Sequence, residues 1–465
     1  MVLVEKKGIL EIKRDVRDRK ISQKIKRFSK PGQSLVLTLD LELQKKMSQV
    51  LKKILIEKKS KGIGAVALNP QTGEILALVS LPAFDNNLFS KGISLIEMER
   101  LNKDPTRPQL NRVIQGNYLM GSIIKPFIGL AALEEGIINE KTILFCPLQL
   151  CLSTASLATK KEKEVERQKR DNCFGDWRFH GWTEIKKAIA ESVNPFFYMV
   201  GGGYKALTSV DSRLPKNFVG LGVNRIAEWL EKFGWTKITG IDLPGEIAGR
   251  VPTPSWKEQY FASQPRMNQI WYQGDTYNLA IGQGYILATP LQITTSFQLI
   301  ANKGTIYKPY LVKAILNKNN KEIKKIFWQK EEIQRKAIQK NNSFQKDEKD
   351  DDIQIIKIQP QILKENFVSQ KSIELIREGM RLAVASMTGS AVRLKSLSVP
   401  LAAKTGTAQI YSPQKIYNQW LTVFGPYEDP TILLTIVLEN VKGTPPLALE
   451  AAKEILEWYF FINKF

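Results

Sequence analysis

The chain has 465 residues, of which 43% are hydrophobic, and 68 Lys and Arg against 46 Asp and Glu give it a formal net charge of +22. The apolar fraction excludes a wholly disordered chain, three Cys exclude a disulfide-dense scaffold, and a single His excludes a zinc protease with paired His ligands. The positive charge is compatible with a nucleic acid partner, with an anionic membrane surface, or with lysines that only solvate the surface.

The first half of the chain begins with a basic stretch. Residues 1–33 carry 11 Lys and Arg against four Asp and Glu and show little helical periodicity, so we predict a basic arm or the remnant of a preceding domain. Periodicity and turn signals then predict, in order, a strand over 35–40, a helix over 41–58, a hairpin with strands over 63–69 and 74–80, and helices within 122–136, 183–200 and 223–233.

The second half contains a charged segment followed by regular elements. Residues 318–352 hold 10 Lys and Arg and eight Asp and Glu with few apolar residues, which predicts a solvated insertion. After it we predict a helix over 373–382, strands over 401–410, 420–424 and 431–438, and a last helix over 447–461. An early hairpin and late strands, with helices between them, predict an α+β domain whose single antiparallel sheet is built from both chain ends.

A first candidate for chemistry is Ser122-Ile-Ile-Lys125. On a helix, positions i and i+3 lie on one face, so the lysine amine can stand near the serine hydroxyl. A serine is a weak nucleophile that needs a base, and a lysine serves as one when burial or neighbouring cations lower its pKa. Taken alone, this spacing is common and is equally typical of an ordinary helix start.

Two further short motifs follow. Ser192-Val-Asn194 lies in an apolar stretch, and Lys404-Thr-Gly406 lies in a predicted strand. Alone, the first is compatible with a helix cap and the second with a strand edge. In the order S-x-x-K, S-x-N, K-T-G, with the last on a strand near the chain end, the three become specific.

In these motifs the sequence resembles the penicillin-binding proteins, the acyl-serine D,D-transpeptidases of peptidoglycan synthesis. The similarity covers about residues 34–460 and is closest to class B enzymes of the elongation type, the group of penicillin-binding protein 2. Further stretches that carry it are 34–44, 65–79, 274–284, 288–292 and 424–428. The resemblance implies one transpeptidase domain over 34–465, with the penicillin-binding and β-lactamase-like fold: an antiparallel five-stranded sheet flanked by helices, and an all-helical subdomain.

The resemblance also implies roles for the motif residues. Ser122 would attack the penultimate D-Ala carbonyl of a stem peptide, Lys125 would take its proton, and the acyl-enzyme would pass to an amine of a neighbouring strand. Ser192 would relay a proton to the leaving amine, and Asn194 would hydrogen-bond Lys125 and the substrate amide. Lys404, among the catalytic residues, would supply positive charge near the substrate carboxylate. Thr405 and Thr407 would bind that carboxylate, and Gly406 belongs to the same substrate-binding segment. β-Lactams would acylate the same serine, and catalysis would require no cofactor.

Two departures from the family pattern stand beside the nucleophile. Tyr118-Leu-Met-Gly121 replaces the usual Pro-Pro-Gly, and Ile123-Ile124 replaces a Thr-Phe pair. Neither removes a catalytic atom, so we expect an altered groove around a working site.

Localisation and partners also follow from the resemblance. It implies the extracytoplasmic face of the bacterial cytoplasmic membrane, with a membrane glycosyltransferase and elongation-complex proteins as partners and no nucleic acid. Family members carry a membrane helix and a pedestal domain before the transpeptidase domain. We expect that the anchor is missing from this chain because of truncation or a misplaced start, or that it lies on a separate chain.

All three Cys and the only His fall within 35 residues. Their spacing is compatible with a structural zinc site formed by Cys146, Cys173 and His180, with Asp176 as another candidate ligand. Some elongation-type members are similar in placing Cys or Asp and a His between the first two motifs. In an oxidising periplasm, a disulfide between Cys146 and Cys173 is an alternative, and free thiols are another.

Other functions remain open beside the transpeptidase. Within acyl-serine enzymes, a D,D-carboxypeptidase or a β-lactam-sensing domain differs in how the acyl group is resolved. A catalytically idle scaffold that binds cell-wall partners through its basic surface belongs to a different class.

Overall fold

The computed structural model describes residues 7–29, 32–57, 59–90, 92–152, 173–205, 211–316, 355–411 and 413–462. Contacts divide the chain into two compact units, one of residues 1–38 and 310–359 and the other of residues 39–309 and 360–465. The first unit joins the predicted basic arm to residues from the middle of the chain, which the sequence did not indicate. The predicted domain boundary after residue 33 stays a prediction, and the predicted charged insertion over 318–352 lies outside the described residues.

Strands occur in both units, and they are numbered in chain order. They are β1 (Ile9–Arg14), β2 (Lys20–Arg27), β3 (Ser34–Leu37), β4 (Gly62–Leu68), β5 (Ile75–Leu81), β6 (Leu144–Cys146), β7 (Gln149–Cys151), β8 (Cys173–Gly175), β9 (Gly181–Thr183), β10 (Tyr204–Lys205), β11 (Asn217–Phe218), β12 (Thr305–Tyr307), β13 (Val312–Leu316), β14 (Ile355–Lys357), β15 (Ile362–Glu365), β16 (Ala402–Tyr411), β17 (Ile416–Gly425) and β18 (Ile432–Lys442).

Among its described residues, the first unit contains two small antiparallel sheets. The basic arm forms a hairpin of β1 and β2, and a separate three-stranded sheet has the order β14-β13-β3. The predicted strand over 35–40 therefore exists as β3, but it pairs outside the main sheet of the molecule.

The second unit is centred on a five-stranded antiparallel sheet with the order β16-β17-β18-β4-β5. The predicted α+β fold and the predicted assembly of the sheet from both chain ends are confirmed. All seven residues of β4 are buried, and so are the first seven of β18, because these central strands are covered on both faces. Glycine and alanine in β4 let neighbouring layers approach closely.

Helices cover the sheet and form a second cluster beside it. Those described are α1 (Leu41–Ile56), α2 (Leu95–Lys103), α3 (Lys125–Glu134), α4 (Ile185–Ala190), α5 (Asn194–Gly202), α6 (Gly222–Lys232), α7 (Pro254–Tyr260), α8 (Arg266–Gln269), α9 (Gln273–Ala280), α10 (Pro290–Ala301), α11 (Gln370–Ala385) and α12 (Leu447–Ile462). The apolar faces of α1 and α12 share one core with the sheet, and α10 contacts β4 and β18. Helices α3, α5, α6 and α9 pack on one another, as the predicted all-helical subdomain requires. Within the described residues, no helix combines the length and the apolar character needed to cross a bilayer.

Two predicted helices differ from the structure, one at its start and the other by a break in its middle. The helix predicted over 122–136 begins as a 3₁₀ turn, Gly121–Ile124, before α3 continues it. The helix predicted over 183–200 is wrong as a single element, because Ser192 has a φ of +60° and separates α4 from α5. A residue with a positive φ cannot continue a right-handed helix. The apolar pattern therefore extends through a position at which the helix is interrupted.

Candidate active site

The first motif begins in a tight turn. Ser122 lies in the 3₁₀ turn that leads into α3, and the preceding Gly121 has a φ of +55°. The Gly121 N–H donates a hydrogen bond of 2.9 Å to the Gly282 carbonyl oxygen, and a Cβ on Gly282 would collide with the Gly121 backbone. The turn therefore needs glycine for its conformation and for its close packing.

Strand β16 packs against the same turn. A Cβ at Gly406 would lie 2.6 Å from the Met120 carbonyl oxygen, and one at Gly121 would lie 2.6 Å from the Thr407 carbonyl oxygen. The Trp420 indole N–H, on the neighbouring strand, donates to the Leu119 carbonyl oxygen at 3.0 Å. The K-T-G segment and the turn that carries Ser122 are thus in direct backbone contact, although they lie far apart in the sequence.

The second motif occupies the break between α4 and α5. Positive φ is uncommon for residues other than glycine and is often found at functional sites. In this conformation Ser192 lies between two lysines: the Lys404 amine donates to its Oγ at 2.9 Å and the Lys125 amine to its carbonyl oxygen at 2.7 Å. Pro195 stands in the first turn of α5, where its fixed φ and missing N–H favour a helix start.

The two lysines share further partners. The Lys125 amine donates to Asn194 Oδ1 at 2.6 Å and contacts Ser192 Oγ at 3.4 Å. The Lys404 amine also donates to the Thr405 carbonyl oxygen at 2.9 Å. The structure therefore brings the S-x-x-K lysine, the S-x-N pair and the K-T-G lysine into one hydrogen-bonded cluster.

Burial governs the charge state of this cluster. Both lysines are 0% exposed. Burial lowers the pKa of Lys125 to about 7, against the opposing effect of the Asp176 carboxylate. Burial, together with repulsion from Lys125, also lowers the pKa of Lys404. Near neutral pH, Lys125 can therefore be a neutral amine that accepts a proton, as a serine nucleophile requires.

The side chains of β16 alternate between buried and more exposed positions. Thr405 is half-buried and Thr407 is exposed, while Lys404, Gly406 and Ala408 are buried, as the two-residue period of a strand demands. β16 is an edge strand of the sheet. An extended peptide can pair with such an edge and meet the two threonine hydroxyls.

The predicted zinc ligands do not form a site. Cys173 forms a disulfide with Cys151, across the pair β7–β8, so its sulfur cannot bind a metal ion. The predicted Cys146–Cys173 disulfide is wrong for the same reason, since Cys146 is a free, buried thiol whose pKa burial raises to about 12. In the part of the chain that the structure describes, no group of three or more His, Cys, Asp or Glu is placed to hold a metal ion.

Asp176 and His180 have other partners. Asp176 Oδ2 accepts the Asn194 backbone N–H at 3.0 Å. His180 lies between two carboxylates, with Nδ1 at 2.8 Å from Glu191 Oε2 and Nε2 at 3.5 Å from Asp176 Oδ2. Glu191 could not be predicted from the sequence, although it directly precedes Ser192, because nothing in the spacing links it to the histidine.

Known proteins resemble this chain over most of its length. The family model for the penicillin-binding protein transpeptidase domain matches residues 63–457. The peptidoglycan D,D-transpeptidase MrdA of Haemophilus influenzae is 30% identical in an alignment over 444 residues that covers 92% of this chain and 56% of MrdA. The chain thus spans a little over half the length of this relative.

Solved structures with the same fold belong to related proteins. The complex between penicillin-binding protein 2 (PBP2) and MreC from Helicobacter pylori matches with a TM-score of 0.70 and 26% identity, over 98% of this chain and 69% of that chain. A peptidoglycan synthase complex that coordinates polymerization and crosslinking matches with a TM-score of 0.72 and 27% identity, over 98% of this chain and 68% of that chain.

Proposed function

The chain belongs to the penicillin-binding protein transpeptidase family, and from that membership we propose that it is a peptidoglycan D,D-transpeptidase acting through an acyl-serine at Ser122. The observation that carries the proposal is the cluster in which Lys125, Ser192, Asn194 and Lys404 share hydrogen bonds beside the serine turn. A buried amine with a lowered pKa, three residues after a serine, is a suitable general base.

Acylation would proceed in two stages. Ser122 Oγ attacks the carbonyl carbon of the penultimate D-Ala while the neutral Lys125 amine takes the hydroxyl proton. The carbon–nitrogen bond then breaks, and a proton relayed through Ser192 Oγ reaches the leaving amine, so that the terminal D-Ala departs. Ser192 Oγ suits this relay because it lies within 3.4 Å of the Lys125 amine and 2.9 Å of the Lys404 amine.

Charge developing on the substrate oxygen also needs a partner. The backbone N–H groups of Ser122 and Thr407 are proposed to bind it, a device commonly worth about 3 kcal/mol per donor. Close packing of Gly121 and Gly406 between the two segments supports this placement. Lys404, Thr405 and Thr407 are proposed to bind the substrate carboxylate. Every step uses side chains and backbone groups of this chain, so we propose that catalysis needs no cofactor.

We propose that the acyl acceptor is an amine of a second stem peptide and that β-lactams acylate the same serine. The proposed location is the extracytoplasmic face of the cytoplasmic membrane, which the Cys151–Cys173 disulfide supports because such bonds persist in oxidising compartments. The proposed partners are a membrane glycosyltransferase and elongation-complex proteins. The structural neighbours in complexes with MreC and in a polymerizing and crosslinking synthase support that choice.

Covalent labelling with a fluorescent penicillin tests the proposal. Wild-type protein should carry one label, on Ser122, and Ser122→Ala should carry none. Labelled Ser122→Ala, or unlabelled wild type that is folded, would refute the acyl-serine function. A donor peptide ending in D-Ala-D-Ala, offered with and without an amine acceptor, then separates transfer from simple hydrolysis.

A further inference from the structure

The segment Gly175–Asp176, at the end of β8, contacts Asn194 at two points. Asp176 Oδ2 accepts the Asn194 backbone N–H at 3.0 Å, and the Gly175 carbonyl oxygen accepts the Asn194 side-chain N–H at 3.4 Å. The same carbonyl accepts the Tyr198 hydroxyl, one turn further along α5, at 3.1 Å. Because Asn194 Oδ1 accepts from the Lys125 amine at 2.6 Å, this segment is one residue removed from the proposed general base.

Asp176 is itself fixed from other directions. Its second oxygen, Oδ1, accepts the Trp177 backbone N–H at 2.8 Å, and its side chain is 0% exposed. His180 Nε2 lies 3.5 Å from Asp176 Oδ2, the same oxygen that accepts the Asn194 backbone N–H. Burying a carboxylate costs free energy unless hydrogen bonds or charged partners compensate for the lost water. A buried Asp side chain therefore indicates a specific role for the contacts that it makes.

The start of α5 shows why Asn194 needs an external partner. The residue before it, Val193, has no side-chain oxygen, so the first N–H groups of this helix receive no local cap. Asp176 provides the missing acceptor from another part of the chain. With the backbone N–H and the side-chain N–H of Asn194 both bound, its Oδ1 is left directed to the Lys125 amine.

We propose that Asp176 is a positioning residue of the acyl-transfer site, acting on Lys125 through the orientation of Asn194. This inference rests on the proposed acyl-serine function. It assigns to Asp176 a part in the reaction that needs no metal ion, in place of the zinc-ligand role that the sequence suggested.

A double-mutant cycle tests the proposal with the second-order rate constant for acylation by a fluorescent penicillin. Asp176→Ala should lower that constant at least 10-fold, and Asp176→Asn, which keeps an oxygen for the Asn194 N–H, should recover most of the loss. In the Asn194→Ala background the Asp176→Ala change should slow acylation by less than about twofold, because its effect passes through Asn194.

The matched control is Asp40→Ala. Asp40 also accepts backbone N–H groups at a helix start, those of Glu42 and Leu43 at α1, and its replacement should leave the acylation rate constant unchanged. If Asp176→Ala does not fold, Asp176→Ser takes its place, since a serine is polar but shorter.

Two outcomes would overturn the inference alone: wild-type rates in Asp176→Ala, or a double variant slowed by the product of the two single effects. A folded wild type that is never acylated on Ser122 would overturn the proposed function, and the role of Asp176 in it would fall as well. The wild-type arm therefore separates the two failures.

Discussion

Asn194 and Ser192 lie between two parts of the structure that are built differently. The sheet side, residues Lys404–Thr407, belongs to a 10-residue strand paired with β17 along its length. The hairpin side, residues Cys173–Asp176, begins with a three-residue strand, β8. Among the described residues β8 pairs with β7 alone, and a disulfide joins the two strands. Backbone hydrogen bonds hold the sheet side in place, so we expect a substitution that adds a bulky group there to disturb the site most. Side-chain contacts hold the hairpin side in place, so there we expect the removal of a single side-chain group to disturb the site most.

The largest effect on the acylation rate is expected from substitution of Lys125, a member of the hydrogen-bonded cluster between these two sides. Lys125→Ala should lower the acylation rate constant about 10³-fold because the proposed general base is lost. Lys125→Arg should be equally slow, since a guanidinium stays protonated and cannot accept a proton. Stopped-flow acylation measures both, with the exposed Lys395→Ala as control. A Lys125→Arg variant that acylates at the wild-type rate would show that positive charge, and not basicity, matters here.

Adding one methyl group to each side tests directly whether the two sides differ in their tolerance of bulk. Gly406→Ala should slow acylation about 10²-fold, because the new Cβ would lie 2.6 Å from the Met120 carbonyl and must displace the serine turn. Gly175→Ala should stay within about twofold of wild type, since nothing lies within 4 Å of a Cβ there. Equal losses in both variants, with unchanged melting temperatures, would mean that bulk does not distinguish the sides.

The sequence predicts the sheet side better than the hairpin side because the strands of the two sides differ in length. Long strands have an apolar alternation and a length that local patterns capture, and the strands predicted over 401–410 and 431–438 match β16 and β18 within a few residues. Three-residue strands leave no such pattern. The predicted disulfide pairs Cys173 with Cys146, whereas Cys151 is the residue that stands opposite Cys173 across β7–β8, and spacing along the chain does not reveal that pairing.

The break at Ser192 was missed because its cause is tertiary. Apolar residues continue through 183–200, and local propensity therefore favours one helix. The positive φ is instead accompanied by hydrogen bonds from Lys125 and Lys404, which lie 67 and 212 residues away in the sequence. The prediction failed at a residue of the proposed catalytic cluster with an unusual backbone conformation, and functional or strained sites are where such failures are expected.

An intermediate effect should come from pH. The pKa of Lys125 is lowered to about 7 by burial, and in the proposed mechanism only the neutral amine can accept the serine proton. The acylation rate constant should therefore rise about tenfold per pH unit below 7 and level off above it, so that at pH 6 it is about tenfold below its plateau. A rate constant that is flat between pH 5.5 and 8 would show that the cluster does not keep Lys125 near this pKa.

The smallest effect on rate is expected from the disulfide of the hairpin side, although its effect on stability is large. Replacing Cys151 and Cys173 with alanine should slow acylation only about threefold, because Asp176 keeps its own hydrogen bonds to Asn194 and Trp177. The cross-link joins residues 22 apart, and its loss should lower the free energy of unfolding by about 3 kcal/mol. Denaturant unfolding with and without dithiothreitol measures this.

The matched variant for that experiment is Cys146→Ala, which removes the free thiol and keeps the cross-link. Dithiothreitol should destabilise the wild type and Cys146→Ala by similar amounts and leave the double alanine variant unaffected. If reduction instead slowed acylation as strongly as Asp176→Ala, the disulfide itself, and not the carboxylate, would be the group that places Asn194. The hairpin side would then resemble the sheet side after all, with its geometry set by the main chain.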